Sequence, residues 1–470
     1  MKNPIRQILS MILLAAMPQW CAAETKAQFP LKDGDVWVMA GDSITAQHLH
    51  SNYFEAFCFA RYPNLKFAFR NSGVGGSTIP ATLARFDYDI ADWKPTVVSV
   101  ELGMNDQGGA TPEKFVANMG IMTGQIRSLK ARPVIFSPSP MNNGDTMAKL
   151  GGNKRLNDHA VALKSADETN RPSGQSNKRL NDYAVALKEF SAKEDLAYSD
   201  QFHALLDVWG NNKPRERLAN SLAVIRPLAA DNSLVGVEHL REFLTAQDKA
   251  PGIPPVSMQG DAVHLGPPGQ LMMAAALLKG LGADGFVSSV AIEGDKVGQA
   301  RGCKVDGLKI EGGKIEFDRL DERSPFPIPD EARGVVALYP AILELSQYTL
   351  KVTGLKDGNH TLKINGFVTA TLTAKELESG VNLTTFGANS QVREVNPIVA
   401  QGRAILAAVS NKEGIVDQWR GLGQRAHGAG APAELKDLLA ALTKKVEEAD
   451  EKIREAAKPR KLHFELSPTP

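Results

Sequence analysis

The sequence predicts an α/β fold: a parallel five-stranded sheet with helices on both faces, followed by a smaller β-rich unit and C-terminal helices. Three observations predict it. Over residues 29–285 short β-rich runs alternate with helical segments, each run ends in a polar or glycine-rich turn, and near Gly282 the texture changes to short alternating strands between glycines. The 470 residues exceed one compact core and fit two or three domains, with hydrophobic (43%) and charged (23%) fractions typical of globular chains.

At the N-terminus, Lys2 and Arg6 precede an apolar run over 8–17 and the small-x-small ending Cys21-Ala22-Ala23. This is the pattern of a cleavable signal peptide over residues 1–23, which predicts a secreted or periplasmic protein. The run is too short for a permanent span, and no later stretch reaches the roughly 20 apolar residues a bilayer needs. Bulky Trp20 argues against a lipid anchor on Cys21. The formal charge is +1, and close to neutral without the leader's two cations, so nothing draws the chain to nucleic acid or acidic membranes. Cys58 lies among Phe54, Phe57 and Phe59 on the expected core face of a helix, which favours free thiols over a pair with Cys303.

The expected strands of the first domain, residues 29–285, are 36–39, 66–70, 96–102, 133–137 and 196–199. Between the last two, the twelve residues 153–164 return at 177–188 with only His159 replaced, by Tyr183. One repetition makes no solenoid. The second copy runs on into the fifth strand as an ordinary crossover helix, so the first copy reads as an insertion, either an inert surface helix or a lid over the site. Residues 201–260 read as mostly helical, and an apolar helix follows over 270–281.

A β-rich accessory domain is expected over 286–396, as a sandwich with strands at 287–292, 308–310, 314–317, 335–338, 348–352 and 360–371. A helical segment is expected over 397–470, solvated at 433–457 and loose at 467–470.

Four short motifs carry chemistry: Gly41-Asp42-Ser43, Gly76, Gly103-Met104-Asn105-Asp106, and Asp261-x-x-His264. Ester hydrolysis needs a nucleophile, a base, a group that orients the base, and donors for the oxyanion. Ser43 can attack, His264 can be base and then acid, and Asp261 can reach the imidazole within one local turn. Asn105 offers a side-chain amide, and Gly76 a backbone N–H that a side chain would crowd. Each motif is ordinary when alone, since Gly-Asp-Ser commonly caps a helix and Gly75-Gly76 commonly makes a tight turn. Their joint placement is not: three follow the first three strands and the fourth precedes the last helix, which converges them on one sheet edge. Asp42 and Asp106 are expected to hold turns through backbone N–H groups. His48 and His50 read as exposed helix polarity, His203 and His239 lack metal-site spacing, and Trp93 and Trp209 read as packing residues, with sugar stacking the alternative for Trp209.

On these residues the chain resembles the SGNH hydrolases, the GDSL esterase/lipase family, over about residues 33–285. The resemblance implies a three-layer flavodoxin-like domain, Ser43 as nucleophile, Asp261 and His264 as its partners, and Gly76, Asn105 and the Ser43 N–H as oxyanion donors, with no metal or organic cofactor. Gly-Asp-Ser-Ile44 stands where the family has Leu, a volume-conserving change. The Gly-x-Ser-x-Gly elbow of the α/β-hydrolases is absent around every candidate serine. The expected function is a secreted serine esterase for small-molecule or polysaccharide esters, most simply acetyl or short acyl esters on carbohydrate. The alternatives are a lipase or thioesterase, an acyltransferase using the same serine, and a non-catalytic glycan-binding surface protein.

Overall fold

The structure, a computed structural model, describes residues 29–141, 174–206, 209, 260–337, 339, 341–386, 396–428 and 430–469. The expected leader, the first copy of the repeat with its lid question, His239 and nearly all of 207–259 lie outside the described residues.

The first sheet consists of β1 (Asp35–Gly41), β2 (Phe67–Gly73), β3 (Val97–Glu101), β4 (Arg132–Phe136) and β5 (Ala197–Ser199), parallel throughout in the order β2-β1-β3-β4-β5. Side chains alternate across it as the strand period requires. Trp37 and Met39 of β1 enter one core while Val38 and Ala40 enter the other. Two helices follow β1, α1 (Ser43–Ala46) and the wholly buried α2 (His50–Arg61). Next come α3 (Ile79–Ala84), α4 (Phe86–Asp89), α5 (Pro112–Ser128), α6 (Gly174–Lys193), α7 (Gln201–Leu205) and α8 (Pro267–Gly280). The second repeat copy is the crossover helix α6 between β4 and β5, as expected.

The β-rich unit holds β6 (Phe286–Glu293), β7 (Lys296–Arg301), β8 (Cys303–Glu311), β9 (Lys314–Asp321), β10 (Gln347–Thr353), β11 (Asn359–Ile364), β12 (Phe367–Thr373) and β13 (Val381–Asn382), with short helices α9 (Ala341–Glu344) and α10 (Ala374–Ser379). Long helices α11 (Pro397–Ala426) and α12 (Ala433–Ala457) then precede β14 (Lys461–Pro468). A four-stranded sheet (β13-β10-β6-β7) faces a five-stranded one (β12-β11-β14-β9-β8) across a shared core that includes Val290, Leu350, Phe317, Ile364 and Phe464. This is a sandwich.

Three expectations are corrected here. Of the strand expected at 335–338, residue 338 lies outside the described residues, and 335–337 are the end of a 3-10 helix, Asp330–Ala337, which buries Val335 and Val336 in the first domain's core. The single strand expected at 360–371 is a hairpin, folded at Asn365-Gly366 with φ of 50° and 83°, the positive pair of a type I′ turn. The tail is neither wholly helical nor loose at 467–468: β14 inserts between β11 and β9, with Leu462, Phe464 and Leu466 facing the core.

The two C-terminal helices return to the first domain and close its β2 edge. An open edge leaves a row of backbone carbonyls unpaired. Here Arg454 donates to Phe67 O (2.7 Å), Lys412 to Phe69 O (2.9 Å) and Arg420 to Gly73 O (3.0 Å). Behind them lie buried ion pairs, Arg70 with Asp450 (2.7 Å) and Lys412 with Glu55 (2.7 Å), and Trp419 stacks on Trp93 at 3.6 Å. Burial alone would lower the Lys412 ammonium, but Glu413 and Glu55 more than offset it and hold it above its ordinary range. Cys58 is buried in α2, Cys303 is half-buried, and both thiols are free.

Candidate active site

Ser43 is the first residue of α1, directly beyond the carboxyl end of β1. The chain turns there because Asp42 caps the helix, its Oδ1 accepting from Ile44 N at 2.9 Å. Gly41 is required by close approach, since a Cβ would stand 2.0 Å from Thr45 Oγ1. Opposite, Gly260 (φ 89°) opens the loop that carries the other two candidates. Asp261 N donates to His264 O at 3.0 Å, and a Cβ on Gly260 would lie 2.0 Å from that oxygen. Asp261 Oδ1 accepts the N–H groups of Val263 and His264, both at 2.7 Å, which fixes the carboxylate under the ring.

These two loops meet. The Ser43 hydroxyl lies 2.8 Å from His264 Nε2, and His264 Nδ1 lies 2.9 Å from Asp261 Oδ2. With a carboxylate at Nδ1, that nitrogen carries the proton, so Nε2 accepts from the hydroxyl. Hydrogen bonding to Asp261 raises the His264 pKa above its ordinary value, although burial opposes it. Burial pushes Asp261 up, but its bonds from His264 and the backbone hold it below the usual carboxylate range.

The other two candidates lie on the neighbouring strand ends. Asn105 Nδ2 donates to Ser77 O (3.0 Å) and Asp42 Oδ2 (3.3 Å), so it joins the loops after β1, β2 and β3. Gly76 sits at the third position of the Val74–Ser77 turn, with φ 74° and the Ser77 N to Val74 O bond closed at 3.1 Å. A Cβ there would meet no protein atom within 4 Å, and the left-handed φ is what favours glycine in this turn. Asp106 Oδ1 accepts from Ile79 N at 3.1 Å, the turn-holding role expected of it. Asp42 is pushed up to about 7, first by burial and then by Glu101.

His48 and His50 are not exposed helix polarity. His50 is 3% exposed and donates from both its backbone N and its Nδ1 to Gln270 Oε1 (3.1 and 2.8 Å), while its Nε2 stands 3.2 Å from Glu101 Oε2. Glu101 also accepts from Thr45 (2.7 Å) and Gln201 (2.9 Å), and Gln270 donates to Gln47 (2.8 Å) and Leu265 O (3.3 Å). This buried network connects the helix that begins at Ser43 with the residue after His264. His48 (φ 56°) lies 3.3 Å from both Glu413 and Asp417 of α11. Sequence reading missed Glu101, Gln201 and Gln270; their polarity carries no local signal, because only the fold buries them together. Gly260 was readable, since Gly-Asp opens the Asp-x-x-His motif. Trp209 is buried, with its Nε1 donating to Pro140 O (3.1 Å), so it packs and stacks on no sugar. His203 is held by Asp200 (2.7 Å) and Asn181 (3.0 Å).

Among the described residues there is no cluster of three or more potential metal ligands and no helix long and apolar enough to cross a membrane. No curated protein matches the chain. A gut microbial diltiazem-metabolizing enzyme shares the fold over 94% of this chain and 100% of its own, at 21% identity and a TM-score of 0.67. An acetylxylan esterase from Geobacillus stearothermophilus aligns over 54% of this chain and 96% of its own, at 15% identity and a TM-score of 0.36, too low a score to carry an argument. Residues 39–221, which include Ser43, Gly76 and Asn105, match the model of the GDSL-like lipase/acylhydrolase family. The stretch that carries Ser43, residues 39–221, is therefore a GDSL-like lipase/acylhydrolase domain, a domain type of carboxylic-ester hydrolases.

Proposed function

We propose that the protein is a secreted serine esterase that removes acetyl or other short acyl groups from carbohydrate through an acyl-enzyme intermediate. The observation that carries the chemistry is the continuous chain Ser43 Oγ to His264 Nε2 (2.8 Å) to Asp261 Oδ2 through Nδ1 (2.9 Å). Ser43 attacks the ester carbonyl as His264 takes its proton, and Asp261 stabilises the imidazolium. His264 then protonates the departing alcohol. Water, deprotonated by the same imidazole, attacks the acyl-serine and releases the acid. The Gly76 and Ser43 N–H groups supply oxyanion donors, and Asn105 Nδ2 joins them as its longer bond, to Asp42 Oδ2 at 3.3 Å, gives way to the substrate oxygen. Export is supported by the apolar run between Arg6 and Ala22-Ala23, and a sugar substrate by the β-sandwich joined to the catalytic domain.

The test is a substrate panel run beside Ser43→Ala: acetylated oligosaccharides against p-nitrophenyl esters of increasing acyl length. Release of acetate from the sugars by wild type and loss of turnover in Ser43→Ala is the expected result. Preference for long acyl chains would replace the carbohydrate reading with a lipase or thioesterase, and transfer of acetyl to an added sugar in preference to water would make the protein an acyltransferase. Full turnover in Ser43→Ala would overturn the mechanism.

A further inference from the structure

The loops that bear Ser43 and Gly76 leave β1 and β2 at Gly41 and Gly73, and these two strand ends are tied to each other by Val74 N donating to Gly41 O at 3.1 Å. Both terminal carbonyls also face a guanidinium. Arg85 Nη2 donates to Gly41 O at 3.4 Å, and Arg420 Nη1 to Gly73 O at 3.0 Å. The two arginines are locked together by one buried carboxylate: Arg420 grips Asp89 through Nε (2.6 Å) and Nη2 (3.0 Å), and Arg85 bonds to the same Asp89. Asp89 is 3% exposed as a side chain and Arg420 14%. Arg85 and Asp89 belong to the catalytic domain, but Arg420 comes from α11, more than 300 residues later than the strands it holds.

The same helix reaches the other loop. Glu413, Asp417 and Arg420 recur at i, i+4 and i+7, which puts them on one face of α11. The first two hold His48, five residues after Ser43, in its left-handed conformation, at 3.3 Å each. Trp419 stacked on Trp93 keeps that face in register with the domain.

We propose that Arg420 is a positioning residue for ester hydrolysis: by fixing the Gly73 carbonyl against Asp89, it sets the Val74–Ser77 turn, so that the C-terminal helix α11 completes the oxyanion side of the site. The physical reason is directional. A guanidinium presents its donors in a rigid planar fork, so two bonds to Asp89 determine where the third, to Gly73, must point. The inference rests on the assignment of Ser43 and Gly76 made above.

The experiment compares wild type with Arg420→Ala on p-nitrophenyl acetate, with active sites counted by a fluorophosphonate that labels an activated serine. Arg420→Ala is expected to lower kcat per labelled site by about 10- to 100-fold, the scale of a sub-ångström to 1 Å misplacement. KM should stay within about threefold and the pH midpoint of kcat/KM should not move, because the Asp261–His264 pair is untouched. Added methylguanidinium, which can enter at a partly exposed site, is expected to restore part of kcat. If the alanine variant does not fold, Arg420→Gln, which keeps one amide donor and loses the grip on Asp89, serves in its place. Unchanged kcat per labelled site, or a loss confined to the labelled fraction with no recovery by methylguanidinium, overturns the clamp while leaving the esterase reading intact. A wild type that neither labels nor hydrolyses any ester overturns the esterase reading and the clamp with it.

Discussion

The proposed acid–base side of this site and its proposed oxyanion side are held in opposite ways. Asp261 and His264 are three residues apart and are oriented by their own loop, through the Asp261 N to His264 O bond and two further backbone bonds to Oδ1. Asn105 and Gly76 are oriented by the ends of three strands and by an arginine from α11. A local device survives wherever its loop is placed, whereas the second exists only once the whole molecule is assembled. Damage on the first side should therefore strike chemistry directly, and damage on the second should strike chemistry through the fold.

The largest effect should come from the local side. His264→Ala should reduce kcat by a factor on the order of 10⁶ with the melting transition retained, as expected when one member of a hydrolytic triad is lost; a loss below a hundredfold would break the assignment. Next in size is Lys412→Met, which leaves Glu55 buried without its cation. It should cost about 3–5 kcal/mol of stability in urea unfolding, and a change under 1 kcal/mol would show that α11 docks without that pair. Asn105→Ala should lose about 2.7 to 4 kcal/mol of transition-state stabilisation, read in kcat. A tenfold loss or less would mean that its amide does not face the oxyanion. Smaller still is Gly76→Ala, where the left-handed φ costs about 1–2 kcal/mol; equal turnover in the variant would place the oxyanion donor elsewhere.

Proton linkage separates the two sides without any large loss. His264 must be neutral to act as base and its pKa is raised chiefly by the bond to Asp261, so kcat/KM should rise with pH through a midpoint above 6.5. In Asp261→Asn that midpoint should fall, and a fixed midpoint would exclude Asp261 as its cause. On the α11 side, burial lowers His48, but Asp417 and Glu413 overcome it and bring the ring to about 9. A raised folded-state pKa stabilises the protonated protein: the contribution is full below pH 6.5 and lost as pH rises through 9. The urea midpoint should decline across that window, and His48→Gln should flatten the decline.

Much of the catalytic domain was legible because parallel strands buried on both faces read as unbroken apolar runs, and each expected strand overlaps an observed one. The motifs were legible because chemistry restricts residue type at strand ends. The Asn365-Gly366 turn and the alternation of Leu462, Phe464 and Leu466 are local signals too, the first of a type I′ hairpin and the second of a strand with one buried face. Val335 and Val336 misled because two adjacent β-branched residues are equally at home in a buried 3-10 turn.

By itself the sequence determined the residues that can react and the strands that present them, since a Gly-Asp-Ser turn and an Asp-x-x-His loop are short-range geometry encoded by neighbours. Tertiary structure alone decided which polar residues stand behind them. Glu101, His50 and Gln270 become a network, and Arg420 a partner of Gly73, only when chain segments distant in sequence are brought within 3 Å or so and water is excluded. No local pattern encodes that meeting, because each of these side chains would be equally well satisfied by water.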